Sequence, residues 1–266
     1  MEFLEAKPIF ANQDKSSTLK SAIFAKKSKV ARRKLAQFAE NETFPHMFYM
    51  PYELLTNGFA LKGKWKTDFF KNDHSITLEL GCGKGEYTIG LARKYPNRNF
   101  IGIDLKGARM WNGAKIAQNE GLKNVAFIRT KIDQISHFFA PEEISEIWLT
   151  FSDPQPKYER RRLTSPHFLN LYRSVLISNG IIHQKTDNRE LFDYTLSVID
   201  YFKFPLDFVS YNLYSSGFNG EAVDFQTFYE KMYLKEGISI NYLQFRLTKE
   251  FAENELLVLP KTEKNI

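Results

Sequence analysis

The chain of 266 residues has little cysteine and no long apolar run. Cys82 is its only cysteine, so an intrachain disulfide cannot form and a metal site built from several thiolates is excluded. No run of about eighteen apolar residues and no charged-apolar-small leader is present. We therefore expect a cytoplasmic protein with no membrane span, no signal peptide and no bound metal.

Two common nucleotide-binding motifs are also missing. The G-x-G-x-x-G fingerprint would require glycine where Glu86 stands, and G-x-x-x-x-G-K-[ST] has no match. Glu79 and Asp104 lie close to Glu86 in the predicted site, and carboxylates at these places would repel a pyrophosphate at short range. The sequence therefore argues against a conventional dinucleotide or P-loop site.

What is present is a strand-turn-helix-strand pattern between residues 76 and 106. An apolar run ends at a glycine cluster, a helical pattern follows, and a second apolar run ends at Asp104. Gly81, Gly83 and Gly85 permit positive φ and a close approach of backbone to ligand. Asp104 stands where a carboxylate can accept both hydroxyls of a ribose. A glycine-rich turn without any ligand is the alternative interpretation.

Acids at this turn favour a cationic ligand that carries a ribose and no phosphate. S-adenosylmethionine has a sulfonium, an ammonium and a ribose, so Glu79 and Asp104 suit it. The spacing E-x-G-x-G-x-G with Asp104 resembles the cofactor-binding loop of S-adenosylmethionine-dependent methyltransferases. Cys82, between two glycines, is interpreted as a small side chain of the turn, with a nucleophile as the alternative.

Strand and helix patterns alternate along the rest of the chain, which predicts a parallel sheet with helices on both faces. Ligands of such sheets bind outside the C-terminal ends of the strands. The predicted elements are helices Gly107 to Glu120, Pro166 to Ile177 (stopped by Asn179-Gly180) and Arg189 to Phe202, and strands Val125 to Arg129, Ile147 to Phe151, Ile181 to Gln184, Leu206 to Tyr214 and Ile238 to Leu247. A short helix is expected around Ile135 to Phe139.

Basic residues exceed acidic ones, 37 against 31, which gives a net charge of +6. Between Lys15 and Lys34 there are eight basic residues and no acid. This block is either a solvated tail or an arm that becomes ordered on a phosphate backbone. We divide the chain into a basic N-terminal arm, residues 1–45, and a single catalytic domain, residues 46–266.

The stretch after Ile147 to Phe151 carries a second group of charged residues. Asp153 is expected at a C-terminal strand end, two positions along the sheet from the glycine turn, in a loop stiffened by Pro154 and Pro156. A rigid acid there is a functional candidate, and a helix cap is the alternative. Lys157 and the triplet Arg160, Arg161 and Arg162 follow, and arginine forks match phosphate oxygens.

Two later motifs add further candidates. K-T-D-N places Asp187 at the same edge of the sheet, either in contact with substrate or as the N-cap of the helix that begins near Arg189. Thr227 and Glu230 have capping-box spacing at the start of a helix, with Phe228 and Tyr229 between them.

The ordered set E-L-G-C-G-K-G, G-I-D-L, F-S-D-P-x-P-K, R-R-L-T, K-T-D-N and T-x-Y-E resembles the motifs of bacterial tRNA (guanine-N7)-methyltransferases. The resemblance extends from about Thr77 to Leu243. It implies a Rossmann-like class I methyltransferase fold with a mostly parallel seven-stranded sheet, and methyl transfer from S-adenosylmethionine to N7 of guanine 46 in the tRNA variable loop.

The resemblance also implies roles for individual residues. Asp153 would be catalytic, stabilising positive charge on the purine as N7 is methylated, and Asp187 would help to orient the guanine. The cofactor-binding residues would be Glu79, Gly81, Gly83, Gly85, Asp104, Lys131 and Asp153. The substrate-binding residues would be Lys157, Asp187, Thr227, Phe228, Tyr229 and Glu230. To these we add Arg160, Arg161 and Arg162 on chemical grounds, since three consecutive arginines cannot all face a core and at least two should point to solvent or to phosphates.

The chain departs from the family pattern at three places. Gln155 replaces a tryptophan, the loop between Lys157 and Arg160 is short and lacks a histidine, and Lys131 stands where an acid usually meets the adenine, with Asp133 the nearest acid. Two rival interpretations stay open: a methyltransferase for an exocyclic amino group, and a non-catalytic RNA-binding module with a disused cofactor pocket. The sequence also leaves open whether the protein is a monomer or a homodimer.

Overall fold

The structure is a computed structural model that describes residues 31–55 and 58–248. The helices are α1 (31–41), α2 (Tyr52–Leu55), α3 (Glu86–Lys94), α4 (Gly107–Glu120), α5 (Ile135–Phe138), α6 (Pro166–Arg173), α7 (Arg189–Phe202), α8 (Glu221–Asp224) and α9 (Phe228–Lys235). A π-helical turn spans Trp65–Phe70, and 3₁₀ turns span Ile132–Gln134, Glu159–Arg161 and Leu213–Ser215.

One sheet organises these helices. Its strands are β1 (Met47–Tyr49), β2 (Ile76–Leu80), β3 (Asn99–Asp104), β4 (Val125–Arg129), β5 (Ile144–Thr150), β6 (Leu176–Thr186), β7 (Leu206–Ser210) and β8 (Asn241–Leu247). Their spatial order is β1-β4-β3-β2-β5-β6-β8-β7, and β8 runs antiparallel to both of its neighbours. The chain order reverses beside β2, so the C-terminal ends of β2 and β5 form the crevice in which such sheets bind ligands.

Both faces of the sheet are covered, which explains the nearly continuous apolar runs of its central strands. Ile76, Leu78 and Leu80 of β2 belong to the core on one face. Phe100, Phe127 and Trp148 belong to the core on the other face, where α3 and α4 pack.

Most of the predicted elements are confirmed, although β7 ends at Ser210 instead of Tyr214 and β8 begins at Asn241 instead of Ile238. Three further expectations are wrong. The sheet has eight strands, because residues 47–49 pair in parallel with β4 between Pro45 and Pro51. The helix expected to reach Ile177 ends at Arg173, and β6 already begins at Leu176. Asn179 has positive φ, which is typical of a helix stop, but here it lies within a long irregular strand.

Helix α1 packs against α4 near the sheet edge that carries β1. Asn41 Nδ2 donates to the carbonyl of Gly107 at 2.9 Å, and Glu40 forms an ion pair with Lys115 of α4. Residues 1–30 of the predicted basic arm, residues 1–45, lie outside the described residues.

The connection between β7 and β8, residues 211–240, is called here the β7–β8 segment. It contains α8 and α9 and packs against α3. Tyr87 Oη of α3 donates to the Glu221 carbonyl at 3.0 Å, and Tyr95 Oη donates to Asp224 at 2.9 Å. Gly90 leaves room for Phe225, since a Cβ at position 90 would lie 2.5 Å from that ring. The segment is therefore fixed beside the glycine turn.

Candidate functional site

The glycine turn closes directly onto β3. The amides of Gly81 and Cys82 both donate to the carbonyl of Ile103, at 2.8 and 3.0 Å. Gly85 has φ 71° at the N-cap of α3, and a Cβ there would lie 2.6 Å from the Phe127 ring. Left-handed backbone and close packing both require glycine at this position. The turn therefore has a fixed shape at the C-terminal end of β2.

Asp104 shapes the turn from the end of β3. One carboxylate oxygen accepts from the Gly83 amide at 2.9 Å, and the other accepts from the Lys106 amide at 2.7 Å. Each oxygen has a further lone pair. Asp104 is half-buried and lines the adjoining cavities, so its carboxylate can accept additional hydroxyl donors.

Glu79 is buried beneath the turn. Its carboxylate accepts from the Thr88 amide at 2.8 Å, from the Thr88 hydroxyl, and from the Thr150 hydroxyl at 2.7 Å. Burial outweighs these hydrogen bonds and raises the pKa of Glu79 to about 7. A cation in the adjoining cavity would favour the ionised form and lower this pKa.

Two cavities meet at Gly81 and Asp104. The larger, of about 990 Å³, lies over the ends of β3 and β4 and is bounded on its other side by the loop after β5. The smaller, of about 120 Å³, lies over the glycine turn and is bounded by the N-terminus of α9. Glu79, Glu86 and Asp104 line the smaller cavity together with Lys84 and Arg109, so acidic side chains outnumber basic ones and a cationic group can be accommodated.

The loop after β5 carries Asp153. The strand β5 pairs directly with β2, so Asp153 follows the strand next to the glycine turn and the expected two-position separation is wrong. Its exposed carboxylate accepts from the Gln155 amide at 3.1 Å, and Phe151 and Gln155 both have positive φ. The next α-helix starts at Pro166 with Ser165 as N-cap, so Asp153 does not cap it. Asp153 does not line either cavity, whereas Phe151 lines the smaller one.

The three arginines occupy two different environments. Arg160 and Arg161 are exposed and line the larger cavity, and Lys157 is exposed nearby. Arg162 is buried: its guanidinium pairs with Glu190 at 2.7 Å and donates to the Pro154 carbonyl at 3.1 Å. The expectation that Arg162 meets a phosphate is not supported, because its donors are directed inward to hold the loop.

The end of β6 contributes Lys185 and Asp187. Asp187 is half-buried, and desolvation raises the pKa of its carboxyl. Asn188, not Asp187, is the N-cap of α7, since its side chain accepts from the Leu191 amide at 2.8 Å. The capping alternative for Asp187 is therefore wrong. Burial raises the pKa of Tyr233 on α9, and the negative charge of Asp187 adds to that rise.

The run Thr227 to Glu230 also contains residues in two environments, three that line a cavity and one that is buried. Thr227, Phe228 and Tyr229 line the smaller cavity, and the Phe228 amide donates to Glu86 at 2.9 Å. Glu230 completes the predicted capping box but is fully buried against Lys185. A direct contact of Glu230 with substrate is not supported, because no part of its side chain reaches the surface.

Lys131 and Asp133 both line the larger cavity. Lys131 is exposed, and Asp133 lies 3.4 Å from the ring of His167, which lines the same cavity. The structure therefore brings an acid to this cavity two residues after the place where the family pattern has one.

Several residues at the site escaped the sequence interpretation. Thr88 and Thr150 bind Glu79, Tyr158 and Phe151 line the cavities, and Lys185 supports α9. Only Lys185 had a signal, its place in K-T-D-N. The roles of the others depend on tertiary contacts that no local pattern shows.

Over residues 31–55 and 58–248, no helix is long and apolar enough to cross a bilayer. The same residues contain no group of three or more His, Cys, Asp or Glu side chains arranged to hold a metal ion.

Comparison with known proteins shows strong similarity to one kind of enzyme. A family model described as "Putative methyltransferase" matches residues 73–240. A tRNA (guanine-N(7)-)-methyltransferase of Bacteroides fragilis is 50% identical over 83% of this chain and 88% of its own length. That of Christiangramia forsetii is 51% identical over 82% of this chain and 99% of its own length.

Solved structures agree on the fold. The 16S rRNA methyltransferase KamB superposes with a TM-score of 0.55 at 14% identity, covering 70% of this chain and 93% of its own. The 16S rRNA (adenine(1408)-N(1))-methyltransferase of Catenulisporales acidiphilia gives 0.52 at 13% identity, over 71% and 94%. At this identity the likeness bears on fold alone, which is the α/β methyltransferase architecture.

Proposed function

This chain belongs to the tRNA (guanine-N7)-methyltransferase family, and we propose that it transfers a methyl group from S-adenosylmethionine to N7 of guanine 46 in the tRNA variable loop. The relatives that carry this activity in their names match more than four fifths of the chain. We also propose a cytoplasmic location, because the proposed substrate is tRNA.

The observation that carries the proposal is the acidic lining of the glycine turn. Buried Glu79 lines the smaller cavity, and half-buried Asp104 lines both cavities. The donor set fits S-adenosylmethionine, because Asp104 has lone pairs for ribose hydroxyls and Glu79 provides negative charge for a cation. When bound, this cofactor supplies an electrophilic methyl group on a sulfonium. The larger cavity, with Leu105, Ile132 and Phe168, offers an apolar wall for a nucleoside.

The chemistry requires positioning more than proton transfer. Guanine N7 presents a lone pair and no proton, so no base is needed to create the nucleophile. Positive charge develops on the purine, and a preorganised carboxylate beside the ring stabilises it. We assign this role to Asp153, which the Gln155 amide orients. Asp187, which directly follows the neighbouring strand β6, is assigned to orient the guanine through the N–H donors of the base.

The exposed cations beside the larger cavity are assigned to the tRNA backbone. Arg160 and Arg161 project from the loop that carries Asp153, and Lys157 lies between them and the acid. Exposed arginine and lysine side chains beside the site can hold phosphates of the RNA strand that carries the target base. Arg162 and Glu230 keep a supporting role, because both side chains are buried.

The proposal is tested by incubating the protein with methyl-labelled cofactor and an unmodified tRNA transcript, then mapping the labelled nucleoside. We expect 7-methylguanosine at position 46 and loss of label when guanine 46 is replaced by adenine. Label on an exocyclic amino group, or tRNA binding without cofactor binding, would contradict the proposal. Equal labelling of the adenine-46 transcript would contradict the assigned position.

A further inference from the structure

Lys185 is a fully buried lysine whose three ammonium protons all have acceptors. Its Nζ lies 2.7 Å from Glu230 Oε1, 2.5 Å from the Ala222 carbonyl and 3.1 Å from the Phe225 carbonyl. All three acceptors belong to the β7–β8 segment, whereas Lys185 belongs to β6. One side chain thus joins the central sheet to the segment at three points.

Glu230 is equally well satisfied. Besides Lys185, its Oε1 accepts from the Tyr214 hydroxyl at 2.6 Å, and its Oε2 accepts from the Thr227 amide at 3.3 Å. The Glu230 amide in turn donates to the Thr227 hydroxyl at 3.2 Å. The ion pair is therefore continuous with the capping box that fixes the first turn of α9.

The first turn of α9 forms one wall of the cofactor cavity. Phe228 and Tyr229 both line the smaller cavity, opposite the glycine turn. The Phe228 ring lies 4.8 Å from the ammonium of Lys84, which belongs to that turn. Movement of the α9 N-terminus would thus change the cavity even though Lys185 and Glu230 do not touch it.

Stability alone is a poor explanation for the pair. Burying a lysine and a glutamate costs desolvation free energy that an apolar pair would avoid, and burial lowers the pKa of Lys185. An apolar pair has no hydrogen bonds and would not fix the position of the segment. The three hydrogen bonds of Lys185 hold the segment in one register against β6.

We propose that Lys185 and Glu230 are a positioning pair that places Phe228 and Tyr229 against the cofactor, so that the pair controls cofactor affinity without contacting substrate. This rests on the proposed function only in taking the cavity as the cofactor site. The same helix carries Tyr233, whose ring lies 6.0 Å from that of Phe151 at the start of the Asp153 loop.

The test compares Glu230→Gln, Lys185→Met and the double variant with the wild-type chain. The wild-type chain is first tested for S-adenosylmethionine binding by calorimetry and for tRNA methylation. A negative result there would contradict the proposed function and would leave the positioning role of the pair as a separate question. In the variants we expect the Kd for S-adenosylmethionine to rise about tenfold or more, while the Kd for tRNA changes less than about twofold. The kcat at saturating cofactor should largely recover, and the double variant should lose less affinity than the sum of the singles.

Two controls separate positioning from general destabilisation. Asp193→Asn breaks the exposed pair with Arg189 and should leave cofactor affinity unchanged. Tyr214→Phe removes one hydrogen bond to Glu230 and keeps the ion pair, so it should fold and raise the cofactor Kd by a smaller factor. If Glu230→Gln does not fold, Tyr214→Phe replaces it in the test.

A folded Glu230→Gln, or Tyr214→Phe in its place, that lowers Tm but leaves cofactor affinity unchanged would overturn the proposal. Equal losses of cofactor and tRNA affinity would overturn it as well. Hydrogen exchange supplies an independent readout, since the amides of residues 227–230 should lose protection in the variants before the rest of the sheet does.

Discussion

Glu79 shows how one buried carboxyl can link cofactor binding to protonation. Its carboxylate has three hydrogen bonds and still has a pKa raised to about 7, because burial dominates. A cationic cofactor favours the ionised form, so binding should release a proton near neutral pH. The side chain therefore senses the charge of whatever occupies the cavity.

We predict that cofactor affinity rises by roughly tenfold between about pH 6 and pH 8, as the free enzyme loses the Glu79 proton. Calorimetry in buffers of different ionisation enthalpy would measure the protons released. Glu79→Gln should abolish that release and bind more weakly. Equal proton release by the variant and the wild type would assign the effect to another group.

The same pKa predicts how stability depends on pH in the absence of cofactor. Between the unfolded pKa of 4.5 and the folded value of about 7, the native state binds more protons than the unfolded state, so stability falls as pH rises. The loss amounts to about 3 kcal/mol at most above pH 7. Glu79→Gln keeps an acceptor for Thr88 and gains a donor for Thr150, so chemical denaturation should show it more stable than the wild type above pH 7. A variant less stable than the wild type there would contradict this account.

Asp153 permits a cleaner test of catalysis, since its exposed carboxylate caps no helix. Asp153→Asn should lower kcat by about two to three orders of magnitude, because it removes charge beside the developing positive purine. Calorimetry should show little change in cofactor affinity. The control is Asp200→Asn, an exposed acid on α7, which should retain full turnover. A kcat equal to that of the wild type would remove Asp153 from the catalytic step.

At the scale of single residues, the sequence identifies chemistry more reliably than exposure. Glu79 and Asp104 could be predicted because a fixed spacing ties them to the glycine turn. The sequence could not predict that Arg162 and Glu230 are buried while residues next to them are exposed. Their burial results from tertiary packing, which no local pattern shows. Burial of a charged group depends on a partner far away in sequence, here Glu190 and Lys185.

At the scale of elements, the central strands and helices could be predicted since local pattern and tertiary role agree in them. Strand β4 and helices α4 and α7 have the predicted bounds. The irregular start of β6 could not be predicted, because three of its first four residues are exposed and Asn179-Gly180 is typical of a helix end. Strand β1 has only three residues, and its pairing with β4 has no local signal.

The contact between α3 and the β7–β8 segment leads to a prediction about Gly90. An added Cβ would lie 2.5 Å from the Phe225 ring, so Gly90→Ala must displace that ring and the chain near it. We expect destabilisation of about 1–3 kcal/mol by chemical denaturation and weaker cofactor binding. Replacing Phe225 by Ala in the same chain removes the clash, so the double variant should lose less stability than the two single changes together. Additive losses would show that Gly90 and Phe225 do not interact.

At the scale of the whole molecule, the location of the charged side chains is more informative than the net positive charge. The acids Glu79, Glu86 and Asp104 outnumber Lys84 and Arg109 at the glycine turn, while Arg160 and Arg161 line the larger cavity. A cationic cofactor and a polyanionic RNA are thus drawn to neighbouring parts of one sheet edge. Composition predicts a polyanionic partner only weakly, and the distribution carries the stronger signal.

This arrangement predicts separate effects of salt and of mutation on the two ligands. Arg160→Gln with Arg161→Gln should weaken tRNA binding and reduce the slope of log K against log salt by up to about 2, since each phosphate contact contributes about 0.7–0.9 to that slope. Cofactor affinity should change little, because the glycine turn and its acids are untouched. Fluorescence titrations at several salt concentrations would measure the slope, with Lys203→Gln and Arg93→Gln as controls of equal charge change on exposed side chains of other surfaces. An unchanged slope in the arginine variant would mean that Arg160 and Arg161 serve solubility, and that the tRNA backbone is held by other cations of the chain.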